Sequence, residues 1–367
     1  MSHRHRKSAM TVRRWSRWPA GAGALVALLV LGTADAPGHA RAPSPAGGPG
    51  AAGAPGAAGP SAPASPSGPA DTPGPADTPG PAATPASVPA RGAPGICTSS
   101  TRTALAAKLS RQIARALHGL SSTVGIAADD SEERLSCRYH QWREFHSASV
   151  IKVITLCALL YELHGQQNLG SDQAVLAQAM ITESDNDAQD ALWNEVGMDA
   201  LQRFLTAARM DHTWLGQDDY WGLTEVNAHD ELRLLHLLIN PNPVLDAASR
   251  RYVLGLMADV VPDQRWGVPA GAPPDVTVHL KNGWLPDPDL WDVNSIGDFT
   301  RHDIDYSIAI LTRDDPDMAY GVVVVETVAR LINRALAEAN GKGTDPGAMT
   351  SPERFRNLLY LQRRFAR

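Results

Sequence analysis

Lysine is scarce in this chain. Five (Lys7, Lys108, Lys152, Lys281 and Lys342) stand among 33 basic residues, so arginine is the ordinary surface cation. Arginine keeps its proton in a protein and lysine can release it, which makes a lysine set in an apolar stretch a candidate for chemistry. Cysteine is scarce too: Cys97, Cys137 and Cys157 show no metal-ligand spacing, and the 12 histidines form no ligand cluster. A structural zinc is thereby excluded, and no metal or other cofactor is expected. The absence of any Gly-x-Ser-x-Gly sequence removes the nucleophile-elbow hydrolases. Positive charge is not in surplus. The formal net charge is -6, while residues 1 to 19 carry six basic side chains (Arg4, Arg6, Lys7, Arg13, Arg14 and Arg17) and no acidic one. The rest of the chain is therefore more acidic still, and nucleic acid is excluded as a partner.

The basic start precedes an apolar run, Gly21 to Leu31, and small residues at Ala34, Ala36 and Ala40. This order predicts an export signal over residues 1–40, and Arg13-Arg14 admits a twin-arginine route. The run is short for a membrane span; left uncleaved, it would be an anchor. Residues 41–95 are mostly Pro, Ala, Gly, Ser and Thr, with Pro-Ala-Asp-Thr-Pro-Gly twice in tandem at 69–80. Such a stretch has little to bury and predicts a disordered linker, able to reach on the order of 150 Å in polyproline geometry. A secreted or cell-envelope location follows, with either cell-wall association or a neutral spacer as the use of that length. In an oxidising compartment cysteines are expected to pair. Cys97 with Cys137 is the expected bridge and Cys157 a buried apolar residue, although sequence alone does not fix the pairing.

Residues 96–345 remain as one compact domain, followed by a basic tail, 346–367. Apolar spacing predicts a helix from Thr101 to His118, stopped by Gly119, then a hairpin of Ser122–Ala128 and Leu135–His140. Further helices are predicted over Asp172–Thr182, Ala188–Val196, Met198–Ala208, Val226–Leu238 and Ala247–Met257, with an irregular loop at Gly216–Gly222. Three strands follow, Val276–Trp284, Trp291–Phe299 and Tyr306–Thr312. Tyr320–Ala337 reads as a last helix, with strand as the rival because of its four valines. Strands at both ends with helices between give an α/β (α+β) fold: an antiparallel sheet flanked by helices, beside an all-helical subdomain.

The chemistry centres on Ser149-Val150-Ile151-Lys152, at the start of an apolar helix running to Tyr161. Three residues apart, hydroxyl and amine share a helical face. Apolar surroundings lower an amine's pKa toward one that can accept a proton, and a helix N-terminus offers N–H groups to an oxyanion. A serine that only caps a helix is the plainer reading of this motif alone. Two more motifs follow in order: Ser184-Asp185-Asn186 and Lys281-Asn282-Gly283.

With these three motifs in order, residues Thr101 to Ala339 resemble the serine β-lactamase and penicillin-binding-protein superfamily, most closely the class A β-lactamase-like serine hydrolases. The resemblance implies Ser149 as nucleophile, Lys152 as its base and Ser184 as proton relay to the departing nitrogen. It implies substrate binding by Asn186 and Lys281, a close backbone approach at Gly283, and an oxyanion hole from the N–H groups of Ser149 and Trp284. Asn282 stands where the family carries Ser or Thr, and would offer an amide to the substrate carboxylate. The family's loop glutamate, which activates the deacylating water, has no match in Leu215 to Thr224; Asp218, Asp219 and Glu225 are the nearby carboxylates. The short interval from Ser149 to Ser184 implies a trimmed helical subdomain and an opened cleft. Three functions fit. The first is a secreted serine hydrolase working through an acyl-enzyme on a β-lactam or related amide. The second is a D,D-peptidase-like penicillin-binding enzyme of peptidoglycan, and the third a non-catalytic wall-binding module. Oligomeric state is not encoded legibly.

Overall fold

The computed structural model describes residues 95–130, 134–217, 220–287, 289–301 and 304–339. The expected export signal, linker and basic tail lie outside the described residues, as do Asp218 and Asp219. In chain order the elements are β1 (Cys97–Ser99), α1 (Thr103–Leu117), β2 (Thr123–Asp130), β3 (Leu135–Tyr139) and β4 (Phe145–His146), followed by α2 (Ile151–Glu162). Then come α3 (Ser171–Gln178), α4 (Asn186–Val196), α5 (Met198–Ala208), β5 (Glu225–Val226), α6 (Ala228–Ile239) and α7 (Ala247–Ala258). The chain closes with β6 (Thr277–Asp287), β7 (Leu290–Arg301), β8 (Ile304–Asp315) and α8 (Met318–Ala339).

Six strands make one antiparallel sheet in the order β1-β3-β2-β8-β7-β6. The early hairpin and the late three-strand meander meet where β2 pairs with β8, Ile126 opposite Ile310. Strand alternation sends successive side chains to opposite faces. On β8, Ile308 and Ile310 enter the core shared with α1 and α8, while Ala309 and Leu311 enter the core built around α2 and α6. Both faces are therefore buried, which explains why these strands read as nearly continuous apolar runs.

The two cores come from differently patterned helices. On α1 only one stripe, Ala106, Leu109, Ile113 and Ala116, is buried, as suits a surface helix. On α2 every residue from Ile151 to Leu160 is buried. A helix apolar all round sits at the centre, and Lys152 is the charge carried into it.

Several boundaries moved for local reasons. The stretch Asp172–Thr182 is not one helix: α3 ends at Gln178 and a π-helical turn, Ala179–Glu183, follows. Val226 belongs to β5 rather than to α6, because Asn227 caps α6, its Oδ1 accepting from the Asp230 N–H at 2.9 Å. The cap starts the helix at Ala228 and frees Glu225–Val226 to pair with Phe145–His146. The Tyr320–Ala337 segment is helical, within α8. Cys97 and Cys137 face each other across β1 and β3 and are joined by a disulfide, while Cys157 is a free, buried thiol.

Candidate active site

Ser149 lies in a 3₁₀ turn, Ala148–Val150, that runs directly into α2. Ala148 before it has φ +46°, a backbone region unfavourable for a residue with a side chain. Such strain persists only where the surroundings hold it, and here they do. From β7, Asn294 Nδ2 donates to the carbonyls of His146 (2.8 Å) and Ser147 (3.2 Å). From β4, His146 Nδ1 contacts Asp292 of β7 at 2.9 Å, and that carboxylate raises the imidazole's pKa. From the other side the Ser147 N–H donates to the Thr224 carbonyl at 2.7 Å. The turn that carries Ser149 is thus clamped between sheet and loop.

Strand β6 completes the clamp. A Cβ placed on Gly283 would lie 2.8 Å from both the Ser149 nitrogen and the Ser147 carbonyl. Only glycine lets this strand approach the serine so closely, and the approach puts the backbone of β6 beside the Ser149 N–H. Trp284 follows, its half-buried indole against Trp266 with ring centroids 5.9 Å apart.

The second motif is delivered by the π-helical turn, a departure from regular helix of a kind frequent at functional sites. The turn ends on Ser184 in a left-handed conformation, φ +58°, and Asp185 then caps α4 through the Ala188 N–H at 2.7 Å. Lys152 is fully buried, and its Nζ donates to the Ser184 carbonyl (2.7 Å), Asn186 Oδ1 (2.7 Å) and Ser184 Oγ (3.3 Å). Lys281, also fully buried, donates to Ser184 Oγ and to the Asn282 carbonyl, each at 2.9 Å. One hydroxyl therefore accepts from two lysines, leaving its own hydrogen for a third partner.

Burial is the first cause of both lysines' electrostatics. It holds Lys152 well below the ordinary lysine range, and the neighbouring Lys281 lowers it further. Burial alone brings Lys281 down to about 7. Opposing these, Asp185 and Asp190 favour the charged form of Lys152. A buried amine held toward its neutral form can accept a proton from a neighbouring hydroxyl.

The structure brings Ser149, Lys152, Ser184, Asn186, Lys281, Gly283 and Trp284 to one cleft, and corrects one expectation. Asn282 does not offer its amide to a substrate carboxylate. Its Nδ2 donates to the carbonyls of Gln264 (2.7 Å) and Trp266 (3.0 Å), which uses both hydrogens, and the Oδ1 left over is buried without a partner among the described residues. A lone acceptor repels a carboxylate. The residue instead fastens segment 264–266 behind β6. Glu225, too, is not at the serine: it lies in β5 opposite His146 with its side chain exposed.

Two residues that the motifs did not point to stand in the cleft. The Trp221 ring lies over Lys152, its centroid 5.0 Å from Nζ, and its indole Nε1–H donates to Asp190 Oδ1 at 2.6 Å. The only forewarning in the sequence is position, since Trp221 falls in the loop where a carboxylate was sought and Asp190 six residues beyond Ser184.

Residues 166–336 match the model of the β-lactamase enzyme family. Among solved structures, PBP-A superposes with TM-score 0.55 at 18% identity, over 64% of this chain and 97% of that one. A variant of PBP-A, solved as an acyl-enzyme complex with penicillin G, gives the same values. A class A β-lactamase from Bacteroides cellulosilyticus superposes with TM-score 0.56 at 18% identity, over 63% of this chain and 98% of that one. A β-lactamase from Xanthomonas campestris pv. campestris gives 0.55 and 17%, over 63% and 98%. At such identities the likeness is one of fold. No match was found among curated proteins.

Proposed function

With the resemblance to the β-lactamase and transpeptidase-like serine hydrolases as premise, we propose that this chain is an exported acyl-transfer enzyme that opens β-lactams or related amides through an acyl-enzyme on Ser149. In its neutral form Lys152 has two hydrogens, enough for the Ser184 carbonyl and Asn186 Oδ1 at 2.7 Å each, and a lone pair with which it takes the Ser149 proton as Oγ attacks the carbonyl carbon. The oxyanion that forms is met by the N–H groups of Ser149 and Trp284. The Lys152 proton passes through Ser184, whose hydroxyl accepts from it and has its own hydrogen to give, to the departing nitrogen. The C–N bond breaks, and an ester to Ser149 remains. Lys281 pairs with the substrate carboxylate, and Asn186, its Oδ1 held by Lys152, has Nδ2 left to donate to a side-chain amide.

The observation that carries this reading is the placement of the Ser184 hydroxyl between two buried lysines, 3.3 Å from Lys152 and 2.9 Å from Lys281. A wall-binding module would have no use for two lysines held against their charged forms. The reading of a D,D-peptidase-like penicillin-binding enzyme, with a slowly released adduct, is favoured by the loop over Lys152, which presents the ring of Trp221 where a water activator was sought. Intact mass of the full chain after mixing with penicillin G, beside Ser149→Ala, tests the proposal. A serine-dependent adduct is expected; no adduct with any penicillin or related amide would sink it. Loss of the adduct within minutes, with hydrolysed drug, would assign a β-lactamase, and persistence for hours a penicillin-binding enzyme. Export, and association with the cell envelope, are part of the same proposal and rest on the basic, apolar and small-residue order of residues 1–40.

A further inference from the structure

Trp221 is held from three directions. Its indole N–H is spent on Asp190 at 2.6 Å. Its carbonyl accepts from the Thr224 N–H at 3.0 Å and lies 3.4 Å from Ser147 Oγ, so its main chain is tied to the nucleophile turn. Its ring faces the Lys152 nitrogen, 5.0 Å from the centroid, and that nitrogen belongs to a side chain with no exposed surface. Asp190 is exposed on α4, the helix that begins at Asn186, so the anchor belongs to the element that carries the Lys152 acceptor.

From this arrangement we infer that Trp221 is a positioning residue that seals Lys152. The ring covers one side of the amine, 5.0 Å from centroid to nitrogen, and closes that side to water, and its face favours the ammonium formed when Lys152 takes the Ser149 proton. Hydrolysis of the ester needs a water oxygen to bond to the acyl carbon, a base to take the water proton, and a proton returned to Ser149 Oγ as the ester bond breaks. Under the indole, Lys152 is closed to that water on the side the ring covers. The seal therefore speeds formation of the ester and slows its loss, in opposition to what a general defect in the site would do. The inference rests on the acyl-enzyme reading for its consequence, though not for its geometry.

The test uses the full chain and Trp221→Leu, which removes both π-face and N–H, with Trp221→Phe, which keeps a ring without the anchor. Two readouts are needed. The first is formation and decay of the penicillin G adduct by intact mass. The second is reductive methylation of Lys152 by formaldehyde and cyanoborohydride, followed by peptide mapping, which requires no acylation. In Trp221→Leu, Lys152 is expected to label at least tenfold faster, the adduct to form several-fold more slowly and to decay at least tenfold faster, with Trp221→Phe between the two. Labelling and adduct lifetime both within twofold of the parent chain, at an unchanged unfolding temperature, would overturn the seal. If Trp221→Leu does not fold, Asp190→Ala, which frees the ring, decides on the same two readouts when set beside Asp190→Asn, which removes the same charge near Lys152 but keeps an oxygen for the indole N–H: faster labelling in Asp190→Ala than in Asp190→Asn is expected, and equal labelling in the two overturns the seal. If the parent chain forms no adduct, the acyl-enzyme reading fails, and Lys152 labelling alone decides whether the indole seals the amine.

Discussion

The two walls of the cleft are built to different standards. On one, β6, the π-helical turn and the start of α2 converge so that Ser184 Oγ lies 2.9 Å from one buried lysine and 3.3 Å from another. On the other, the loop leading into β5 presents an aromatic face to the same lysine. Under the proposed function the first wall moves a proton off a serine, and under the inferred seal the second keeps water from a base. Forming an ester and removing it make separable demands on a site, and one fold can keep the first while altering the second.

Experiments that break the first wall should have the largest effects. Ser149→Ala is expected to abolish the penicillin adduct in intact-mass spectra. Lys152→Met should slow acylation by about 10²–10⁴-fold, the range of general-base catalysis, as seen in stopped-flow or quenched mass kinetics. Gly283→Ala comes next: its Cβ would sit 2.8 Å from the Ser149 nitrogen, so the strand must withdraw and weaken the oxyanion hole. A fall of roughly 10²–10³-fold is expected, with Lys152 labelling unchanged because the second wall is untouched.

A smaller effect is expected from pH. Lys152, depressed by burial, must be neutral to accept a proton, so acylation rises with pH through its titration; Lys281, held down to about 7, must be charged to bind a carboxylate, so binding weakens above that value. The second-order rate constant for acylation should be bell-shaped, changing about tenfold per pH unit on each limb. An amide or ester substrate without the carboxylate should lose the alkaline limb. A profile identical for the two substrates would remove Lys281 from carboxylate binding.

The last test touches neither wall. Glu231 of α6 is fully buried, neither oxygen has a hydrogen-bond partner among the described residues, and burial pushes its pKa from an ordinary 4.5 to about 8. An acid whose folded pKa is raised keeps its proton where the unfolded chain releases it. Its favourable share of stability is thus present below about 4.5 and is lost progressively as pH rises to about 8. The loss is on the order of 5 kcal/mol. Glu231→Gln should flatten the decline in unfolding free energy between pH 5 and 8 in urea titrations, relative to the parent chain, and leave acylation within twofold.

Much of this architecture is legible in the sequence because burial writes periodicity. The three closing strands, the stripe on α1 and the uniformly apolar α2 were all readable, and so was the pairing of Cys97 with Cys137 across neighbouring strands. The three motifs also meet as expected. Asn282 was misassigned although strand alternation carries the answer: Lys281 and Gly283 share one face of β6, and Asn282 belongs to the other. What left no periodic trace went unread. Trp221 lies in a loop, and the Asn294 amide that holds the nucleophile turn is 147 residues from Ser147. Such contacts depend on where the chain returns, and a loop tryptophan looks the same whether it covers a lysine or faces water.

The Cys97–Cys137 bridge also decides how the domain takes a load. β1 is an edge strand of three residues, paired with β3 on one side and hydrogen-bonded at Cys97 to Ser110 of α1, and an edge strand pulled from its free end unzips one hydrogen bond at a time. With Cys97 bonded to Cys137, tension arriving along the chain from residues before 97 crosses by covalent bonds into β3, the next strand of the sheet. The sheet would then be loaded as a unit, and a pull from the N-terminal side would not peel β1 from it while the sulfurs stay joined.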